Sequence, residues 1–398
     1  MTHRTVDEHA AHIRDLLDGL SAHFVSGAET VPLAAALGRV SAAVVPSPVD
    51  LPLFRNSQMD GFAVHAADIV ALPASLPIVG EIAARPISPA ALAPGTAVRI
   101  MTGAVVPEGA DAVVPVEDTT TDAGSVTVNR SRSVGEYVRE RGSDIAAGTT
   151  LVPAGIRLGS RHLAALAAAG VSDVLVQRRV RVAVITTGAE LIGAAEIPTL
   201  GQVYDANSVA LIAATESAGA VVSLAARVTD RVDAMLDALA AAAAVSDVIV
   251  TSGGISMGDY EVVREALEPL GASVGHVAMQ PGGPQATAHF DGVPVLCFPG
   301  NPVSTQLSFE VFLAPLLREL AGLPAARRES LILVGSVTSV PGKRQFLRAR
   351  RLADGTVATV SGPGSHLVAG LAASDLLIDV PTDTLTIDEG DTVETWQL

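Results

Sequence analysis

The chain has 398 residues, which at roughly 150 residues per domain predicts two to four domains. Hydrophobic residues make up 49% of it and charged residues 17%, a balance that excludes wholesale disorder and collagen-like repeats. The formal net charge of −16 argues against a nucleic-acid partner, because phosphate backbones demand a basic surface. The one cysteine, Cys297, excludes an intramolecular disulfide and a cysteine-based zinc cage.

The sequence predicts neither secretion nor membrane insertion. No apolar run reaches the roughly 18 residues that a spanning helix needs, and the first residues lack a basic start followed by an apolar stretch. We therefore expect a cytoplasmic protein with no membrane contact.

The first half of the chain predicts a helix followed by a β-rich region. Apolar residues at helical spacing predict an amphipathic helix from Val6 to Phe24, with Gly27 as its stop. His9 and His12 lie one turn apart on it, and we expect them to be solvated rather than to bind a metal. From about Pro46 to Val180, short apolar runs between Pro, Gly and Asp turns predict β-structure.

Compact β-branched runs then alternate with helical segments up to about Leu323. Such runs suit strands buried on both faces, as in a parallel sheet with helices around it. The predicted strands are Val180 to Ile185, Val221 to Leu224, Val248 to Val250 and Val293 to Phe298. The predicted helices are Asn207 to Ala218, Asp230 to Ala244, Tyr260 to Leu270 and Val303 to Leu320. After Pro324, alternating strands predict a small closing barrel or sandwich.

Three loops follow strands of the predicted sheet, where ligands of open α/β sheets bind. They run from Thr186 to Glu190, from Thr251 to Gly258 and from Pro299 to Pro302. Their glycines let the backbone approach a ligand, and Ser252, Ser256, Asn301 and Ser304 add neutral hydrogen-bonding groups. Because Lys343 is the only lysine, an anion must otherwise be held by arginine, backbone N–H groups or a metal ion. Ordinary strand-to-helix turns explain one such loop, but three together favour a cradle for an oxyanion.

The second loop, from Thr251 to Gly258, also allows a serine hydrolase. Gly254 to Gly258 spell G-x-S-x-G after a strand, which makes Ser256 a candidate nucleophile. The predicted helix begins only after Gly258, however, so Ser256 is not on a sharp strand-to-helix corner, and no downstream histidine is marked as its base. The hydrolase therefore remains a weaker alternative. Glycine-rich dinucleotide and Walker signatures and the H-E-x-x-H metalloprotease signature are absent.

Several carboxylates lie in turns near these loops. Asp60, Asp144, Glu190 and Asp259 each have a turn or capping role as an alternative, as does Asp230. Together they predict an oxygen-rich shell of the kind that Mg²⁺ prefers, which would let an acidic protein hold an anionic substrate.

Six segments resemble a known family. They are LPLFRNSQMDGFAV (51–64), RIMTGAVVPEGADAVVPVED (99–118), TTGAEL (186–191), SGGISMGDY (252–260), FPGNPVS (298–304) and GPGSH (362–366). In this order they resemble segments of the molybdopterin molybdenumtransferases, the family that includes the gephyrin E domain. The match covers nearly the whole chain, and the segments around Asp60 and Thr102 are specific to this family.

The resemblance implies a multidomain α/β protein that forms a homodimer. It implies a central doubly wound parallel-sheet domain of the molybdopterin-binding type over residues 179–324, a β-rich inserted domain over 46–145 and a small β-barrel over 325–398. A mixed α/β linker domain would combine residues 1–45 with 146–178.

The resemblance also implies a reaction, in which molybdate is inserted into adenylated molybdopterin and AMP is released with the help of Mg²⁺. Implied catalytic residues are Asp60, Thr102, Asp144, Glu190, Asp230 and Asp259. Glu190, Asp230 and Asp259 are the implied metal ligands. Implied substrate-binding residues are Gly253, Gly254, Ser256, Gly300, Asn301, Ser304, Arg348 and Ser365. A molybdopterin adenylyltransferase and molybdoenzyme apoproteins are implied partners.

The chain departs from the family at its usual site lysines. Many members have a K-P-G-K-P segment with another lysine shortly before it, whereas this chain has His276, Gln280 and Gly283. The cationic contribution to anion binding is therefore weaker. This leaves a second hypothesis, a paralogue that binds or carries molybdopterin without catalysis.

Overall fold

The computed structural model describes residues 2–255 and 261–398, and of Thr2 and residues 20–26 it describes only the backbone. The chain divides into two compact units, one formed by Met1–Glu29 together with Gln177–Leu398 and the other by Thr30–Val176. The finer division into four domains stays a prediction. None of the described helices combines the length and apolar character needed to cross a lipid bilayer.

Strands are numbered in chain order. The first group is β1 (Thr2–Arg4), β2 (Ala28–Pro32), β3 (Val45–Pro46), β4 (Asn56–Ser57), β5 (Gly61–Val64), β6 (Ala74–Ile82), β7 (Ala97–Ile100), β8 (Ala112–Pro115), β9 (Thr119–Asp122), β10 (Ser125–Val128), β11 (Val138–Arg139), β12 (Thr150–Val152) and β13 (Asp173–Gln177). The second is β14 (Arg181–Thr187), β15 (Leu191–Ile192), β16 (Val203–Tyr204), β17 (Val221–Val228), β18 (Val248–Ser252), β19 (Ser273–Val277), β20 (Met279–Gln280), β21 (Pro284–Phe290), β22 (Val293–Phe298), β23 (Arg328–Val334), β24 (Val337–Thr338), β25 (Arg344–Arg351), β26 (Val357–Thr359), β27 (Leu376–Val380), β28 (Thr386–Ile387) and β29 (Thr392–Gln397).

The α-helices are numbered in the same way. They are α1 (Val6–Ser26), α2 (Ser160–Ala168), α3 (Ala206–Ser217), α4 (Val232–Ala243), α5 (Val262–Leu267), α6 (Pro302–Ser308), α7 (Ala314–Leu320) and α8 (Val368–Ala372). A π-helical turn, Phe309–Leu313, joins α6 to α7. The helix predicted from Val303 to Leu320 is therefore continuous but contains a wider π-helical turn. The helix predicted from Tyr260 is described from Val262 onward.

The first unit is built on a seven-stranded sheet with the order β1-β19-β21-β22-β18-β14-β17. Its centre confirms the predicted parallel arrangement, since β14 pairs in parallel with β17 and β18, and β18 with β22. The sheet is mixed at its other side, where β21 runs antiparallel to both β19 and β22. Cys297 in β22 is buried, and burial raises the pKa of its thiol to about 12.

Helix α1 begins at a capping box, in which Thr5 accepts from the Glu8 N–H and the Glu8 carboxylate accepts from the Thr5 N–H. Its apolar face, with Ile13 fully buried, packs into the same core as the central strands. The strand before it, β1, adds to the sheet edge beside β19. The prediction that His9 is solvated was wrong, because only 2% of His9 is exposed and its ring meets Phe312 edge-on at 4.7 Å between centroids.

Replacing His9 with leucine should stabilise the protein at acidic pH. Burial, followed by the charges of Arg4 and His12, lowers the pKa of His9 from 6.5 to about 3, and neither ring nitrogen has a hydrogen-bond partner among the described residues. Because the folded pKa lies below the unfolded one, stability is lost as pH falls below 6.5. Between pH 8 and 5 this amounts to roughly 2 kcal/mol.

Urea unfolding at pH 8 and pH 5 measures this effect. His9→Leu should lose less stability than the parent on acidification, whereas His289→Gln, a change at an exposed histidine, should lose the same amount as the parent. An equal pH response in His9→Leu and the parent would contradict the assignment.

The C-terminal part of this unit forms a closed barrel, which is one of the two architectures, barrel or sandwich, that the sequence predicts. Strands β25, β26, β23, β29 and β27 pair in turn, and β27 pairs again with β25 to close the ring. Strand β20 adds to β25 from outside, so the segment around Gln280 lies alongside the barrel. Arg344 makes two hydrogen bonds to Asp379, at 2.7 and 2.6 Å, which tie β25 to β27.

The second unit contains a six-stranded sheet with the order β8-β5-β7-β6-β10-β9. Its apolar side chains form cores around Val64, Ile69 and Val114 on one side and around Ile100 and Val113 on the other. This confirms that the region between Pro46 and Val180 is β-rich.

Candidate functional site

The three predicted loops converge at the carboxyl ends of β14, β18 and β22. Gly253, with φ of +96°, lies so close to the first loop that a Cβ there would be 2.7 Å from the carbonyl oxygen of Thr187. A Cβ on Gly300 would be 3.2 Å from the Cα of Gly253. Ordinary Cβ contacts are longer, so glycine is required for the backbones of the three loops to meet.

The loops line one cavity of about 970 Å³. The cavity brings together most of the described residues of this unit that the sequence predicted for the site. They are Glu190, Asp230, Gly253, Gly254, Gly300, Asn301, Ser304 and Ser365. Ser256 and Asp259 lie outside the described residues, so their predicted roles stay predictions.

A buried polar network holds the loops in place. The side-chain amide nitrogen (Nδ2) of Asn207, at the start of α3, donates to Ser252 Oγ at 2.9 Å and to the Gly300 carbonyl at 2.7 Å. Thr305 in α6 lies 3.0 Å from the same Ser252 hydroxyl and donates to the Pro299 carbonyl at 2.5 Å. The predicted ligand-binding hydroxyl of Ser252 is therefore used to join the loops. Sequence reasoning missed Asn207, for which only its place at a predicted helix start was a signal.

Glu190 and Asp230 provide carboxylates at the cavity. Asp230 accepts from the Thr187 hydroxyl at 3.1 Å and from the Ala189 N–H at 3.0 Å, so it also caps the first loop. The Glu190 carboxylate lies over Gly188, where a Cβ would be 2.6 Å from its Oε2. Among the described residues no group of three or more His, Cys, Asp or Glu side chains is placed to hold a metal ion.

Two carboxylates at one cavity nevertheless fit Mg²⁺. This ion commonly takes one or two protein carboxylates and completes its octahedron with waters and substrate phosphates. Both side chains are exposed, so neither carries the cost of burying an isolated charge. The oxygen-only donor set of Glu190 and Asp230 thus suits a hard cation that arrives with a phosphorylated substrate.

The cavity is also lined by the segment from Met279 to Pro284 and by Lys343. His276 and Gly283 are two of the positions at which the chain departs from the family pattern. The His276 ring covers Gly283, where an added Cβ would be only 2.4 Å from Cε1 of the ring. Burial, then the charges of Lys343 and His3, lower the pKa of His276. Sequence reasoning named His276 as a replaced lysine but did not place Lys343 at the site.

Arg348, predicted to bind substrate, is buried beneath the loop that carries Ser365. It donates to Ser361 Oγ at 2.9 Å and to the Gly362 carbonyl, it is 1% exposed, and burial lowers its pKa. It does not line the cavity but supports one of its walls. The loop is also fixed from the other side, because the Val303 N–H donates to the Ser365 carbonyl at 3.0 Å.

Asp60, Thr102 and Asp144 belong to the second unit. Asp60 accepts from both the backbone N–H and the hydroxyl of Thr102, at 2.6 and 2.7 Å, and these bonds lower its pKa. Thr102 therefore holds the exposed carboxylate of Asp60 in a fixed position. Asp144 lies in an exposed turn, where its N–H donates to the Leu51 carbonyl.

Comparison with known proteins agrees with this architecture segment by segment. Residues 4–170 match the MoeA N-terminal region (domain I and II), residues 183–319 match a probable molybdopterin binding domain and residues 331–398 match the MoeA C-terminal region (domain IV). The molybdopterin molybdenumtransferase 2 of Mycobacterium tuberculosis is 42% identical over 93% of this chain and 95% of its own length. The chain belongs to the molybdopterin molybdenumtransferase family.

Other members of the molybdopterin molybdenumtransferase family are similar over nearly the same length. The enzyme of a Nostoc species is 36% identical over 93% of this chain and 88% of its own. A crystal structure of a molybdopterin biosynthesis MoeA protein from Pyrococcus horikoshii superposes with a TM-score of 0.80 at 31% identity, covering 97% of this chain and 98% of that one. The predicted family, its transferase class and the multidomain fold are confirmed.

Proposed function

We propose that this chain inserts molybdate into adenylated molybdopterin with release of AMP, as a step of molybdenum cofactor biosynthesis. The observation that supports this most directly is the single cavity in which Glu190 and Asp230 face the glycine loops of Gly253 and Gly300. Its size is of the order of the largest small-ligand sites. Relatives named for this transfer cover almost the whole chain.

The chain's own groups suit the cleavage of a phosphoanhydride. The reaction develops charge on phosphate oxygens, which oriented backbone N–H groups stabilise without a protein nucleophile. The loops at Gly253 and Gly300 supply closely packed backbone, and Asn301 stands at the start of α6. A bound Mg²⁺, held by Glu190, Asp230 and the predicted ligand Asp259, would neutralise part of this charge.

Further parts of the proposal concern assembly and location. We propose a cytoplasmic homodimer that receives its substrate from a molybdopterin adenylyltransferase and delivers product to molybdoenzyme apoproteins. The second unit presents the fixed Asp60–Thr102 pair, which the resemblance associates with the reaction.

Purified protein given adenylated molybdopterin, molybdate and Mg²⁺ should release AMP, measured by chromatography. Glu190→Gln and Asp230→Asn should each lower the rate by about 100-fold, because each removes a negative charge from the metal-binding wall. Glu196→Gln is the matched control, since Glu196 is an exposed acid that bonds Gly193 and Arg227 and does not line the cavity.

The same assay separates the rival hypotheses. AMP release at parental rates in both cavity variants would refute the site assignment. Retention of molybdopterin without AMP release would favour the carrier, for which the neutral Gln280 and Gly283 are the motivation. Covalent labelling of Ser256 by a fluorophosphonate would favour the hydrolase.

A further inference from the structure

Acidic residues outnumber basic residues in the described lining of the cavity. Its described lining contains the acidic residues Glu190, Asp205, Asp230 and Glu261, and Lys343 is its only lysine or arginine. An anion in this cavity is repelled by the acids unless a cation is close to it. The lysines that the family resemblance leads one to expect at 280 and 283 are Gln and Gly here.

Lys343 is held in place by its neighbours. It directly precedes β25, whose first residue, Arg344, pairs with Met279, and the Arg344 N–H donates to the Ala278 carbonyl at 2.9 Å. Its side chain is half-buried, and its ammonium makes no hydrogen bond or ion pair with any residue in the described ranges 2–255 and 261–398. A partly desolvated ammonium gains more from a bound anion than a fully hydrated one.

His276 lines the same cavity as Lys343. Its ring occupies the space above Gly283, and Lys343 is close enough to act electrostatically on it. Burial and the nearby charges of Lys343 and His3 lower the pKa of His276, which favours the neutral ring, and a neutral ring offers one N–H donor rather than a charge. A point charge and a neutral ring together suit a small, strongly charged oxyanion.

We propose that Lys343 and His276 form an oxyanion-binding subsite that takes over the role of the absent lysines. The ligand is a tetrahedral oxyanion, either molybdate or the phosphate group of the pterin, and the carboxylates of Glu190 and Asp230 remain available to a metal ion. This rests on the proposed function for the identity of the ligand, but oxyanion binding itself is measured without turnover.

Isothermal titration calorimetry of the full chain in a phosphate-free buffer tests the subsite, with sodium molybdate and inorganic phosphate as separate probes. Lys343→Met should weaken binding by tenfold or more, on the order of the effect of removing one close charge, whereas Lys343→Arg should stay within about threefold of the parent. His276→Ala should weaken it by about threefold, because a neutral hydrogen bond is lost.

Arg327→Met is the matched control, since Arg327 is an exposed cation on the barrel that pairs with Glu329 and does not line the cavity. It should bind as the parent does. A loss confined to molybdate assigns the subsite to molybdate, and a loss with both probes assigns it to tetrahedral oxyanions in general, including the pterin phosphate. Equal binding by Lys343→Met and Arg327→Met, or no binding of either probe by the parent, overturns the proposal.

The calorimetry tests the subsite and the AMP assay tests the proposed reaction, so each proposal can be refuted without the other. Oxyanion binding that depends on Lys343 in a protein that releases no AMP would support the subsite and refute the proposed reaction. AMP release with oxyanion binding unchanged in Lys343→Met would support the reaction and refute the subsite. Thermal unfolding of each variant shows that the comparison is made between folded proteins.

Discussion

Replacing Gly253 with valine is expected to abolish AMP release and to destabilise the protein by about 3 kcal/mol. The φ of +96° at this position is strained for any residue with a side chain, and a Cβ would lie 2.7 Å from the Thr187 carbonyl oxygen. The Thr187 backbone must then move. Since Gly300 also packs on Gly253, all three loops of the cavity would shift.

Gly271→Ala separates conformational strain from collision. Gly271 ends the turn after α5 with φ of +84°, and an added Cβ would have nothing within 4 Å. This variant should therefore lose about 1 kcal/mol and keep its activity. The measurements are AMP release and urea unfolding of both variants. If Gly253→Val releases AMP at the parental rate, the glycine loops are not the site.

Replacing Asp247 with alanine should cost about 3 kcal/mol of stability, because it leaves two arginines without their shared partner. Asp247 is 9% exposed and accepts from Arg178 at 2.6 and 3.0 Å and from Arg181 at 3.0 Å. These bonds bring the start of β14 together with the start of β18, so they stabilise one end of the central sheet. Removing Glu319, whose pair with Arg14 is exposed, should change stability little.

The Asp247 pair also gives stability a pH dependence. Burial alone would raise the pKa of Asp247, but the bonds from Arg178 and Arg181 outweigh it and lower the pKa below 3.8. A carboxyl whose pKa is lower in the folded state stabilises the protein above its unfolded pKa and loses that contribution as pH falls through the folded value. Urea unfolding from pH 7 to pH 3 should show a smaller acid loss in Asp247→Ala. Parallel curves for the variant and the parent would contradict this role.

The parts of the fold that depend on local patterns were predictable. The run from Val293 to Phe298 was predicted as a strand and forms β22 with the same bounds, because continuous apolar β-branched sequence occurs mainly in strands buried on both faces. Strand β1 was not predicted, because three residues carry no periodicity and their pairing partner β19 is distant in sequence. His9 was misplaced for a related reason, since the covering Phe312 lies far along the chain.

The candidate site divides in the same way. Glycine-rich loops after predicted strands pointed to Gly253 and Gly300, because loop position follows from the topology of a parallel sheet. Lys343 had no such signal, since it reaches the cavity only through the pairing of β20 with β25. Arg348 was implied as a substrate-binding residue by the family resemblance alone. Its buried side chain lies on the strand face opposite to Leu347 and Ala349 and donates to the Ser361–Gly362 turn.

The pairing of β1 with β19 has a consequence for biosynthesis. Thr2–Arg4 are synthesised more than 250 residues before their sheet partner, Ser273–Val277. The intervening segment Thr30–Val176 is continuous and has its own compact core, so it is able to fold during translation while the first strand waits. The sheet of the first unit is therefore complete only after β22 has emerged, and its cavity only after Lys343 and Ser365 have been synthesised.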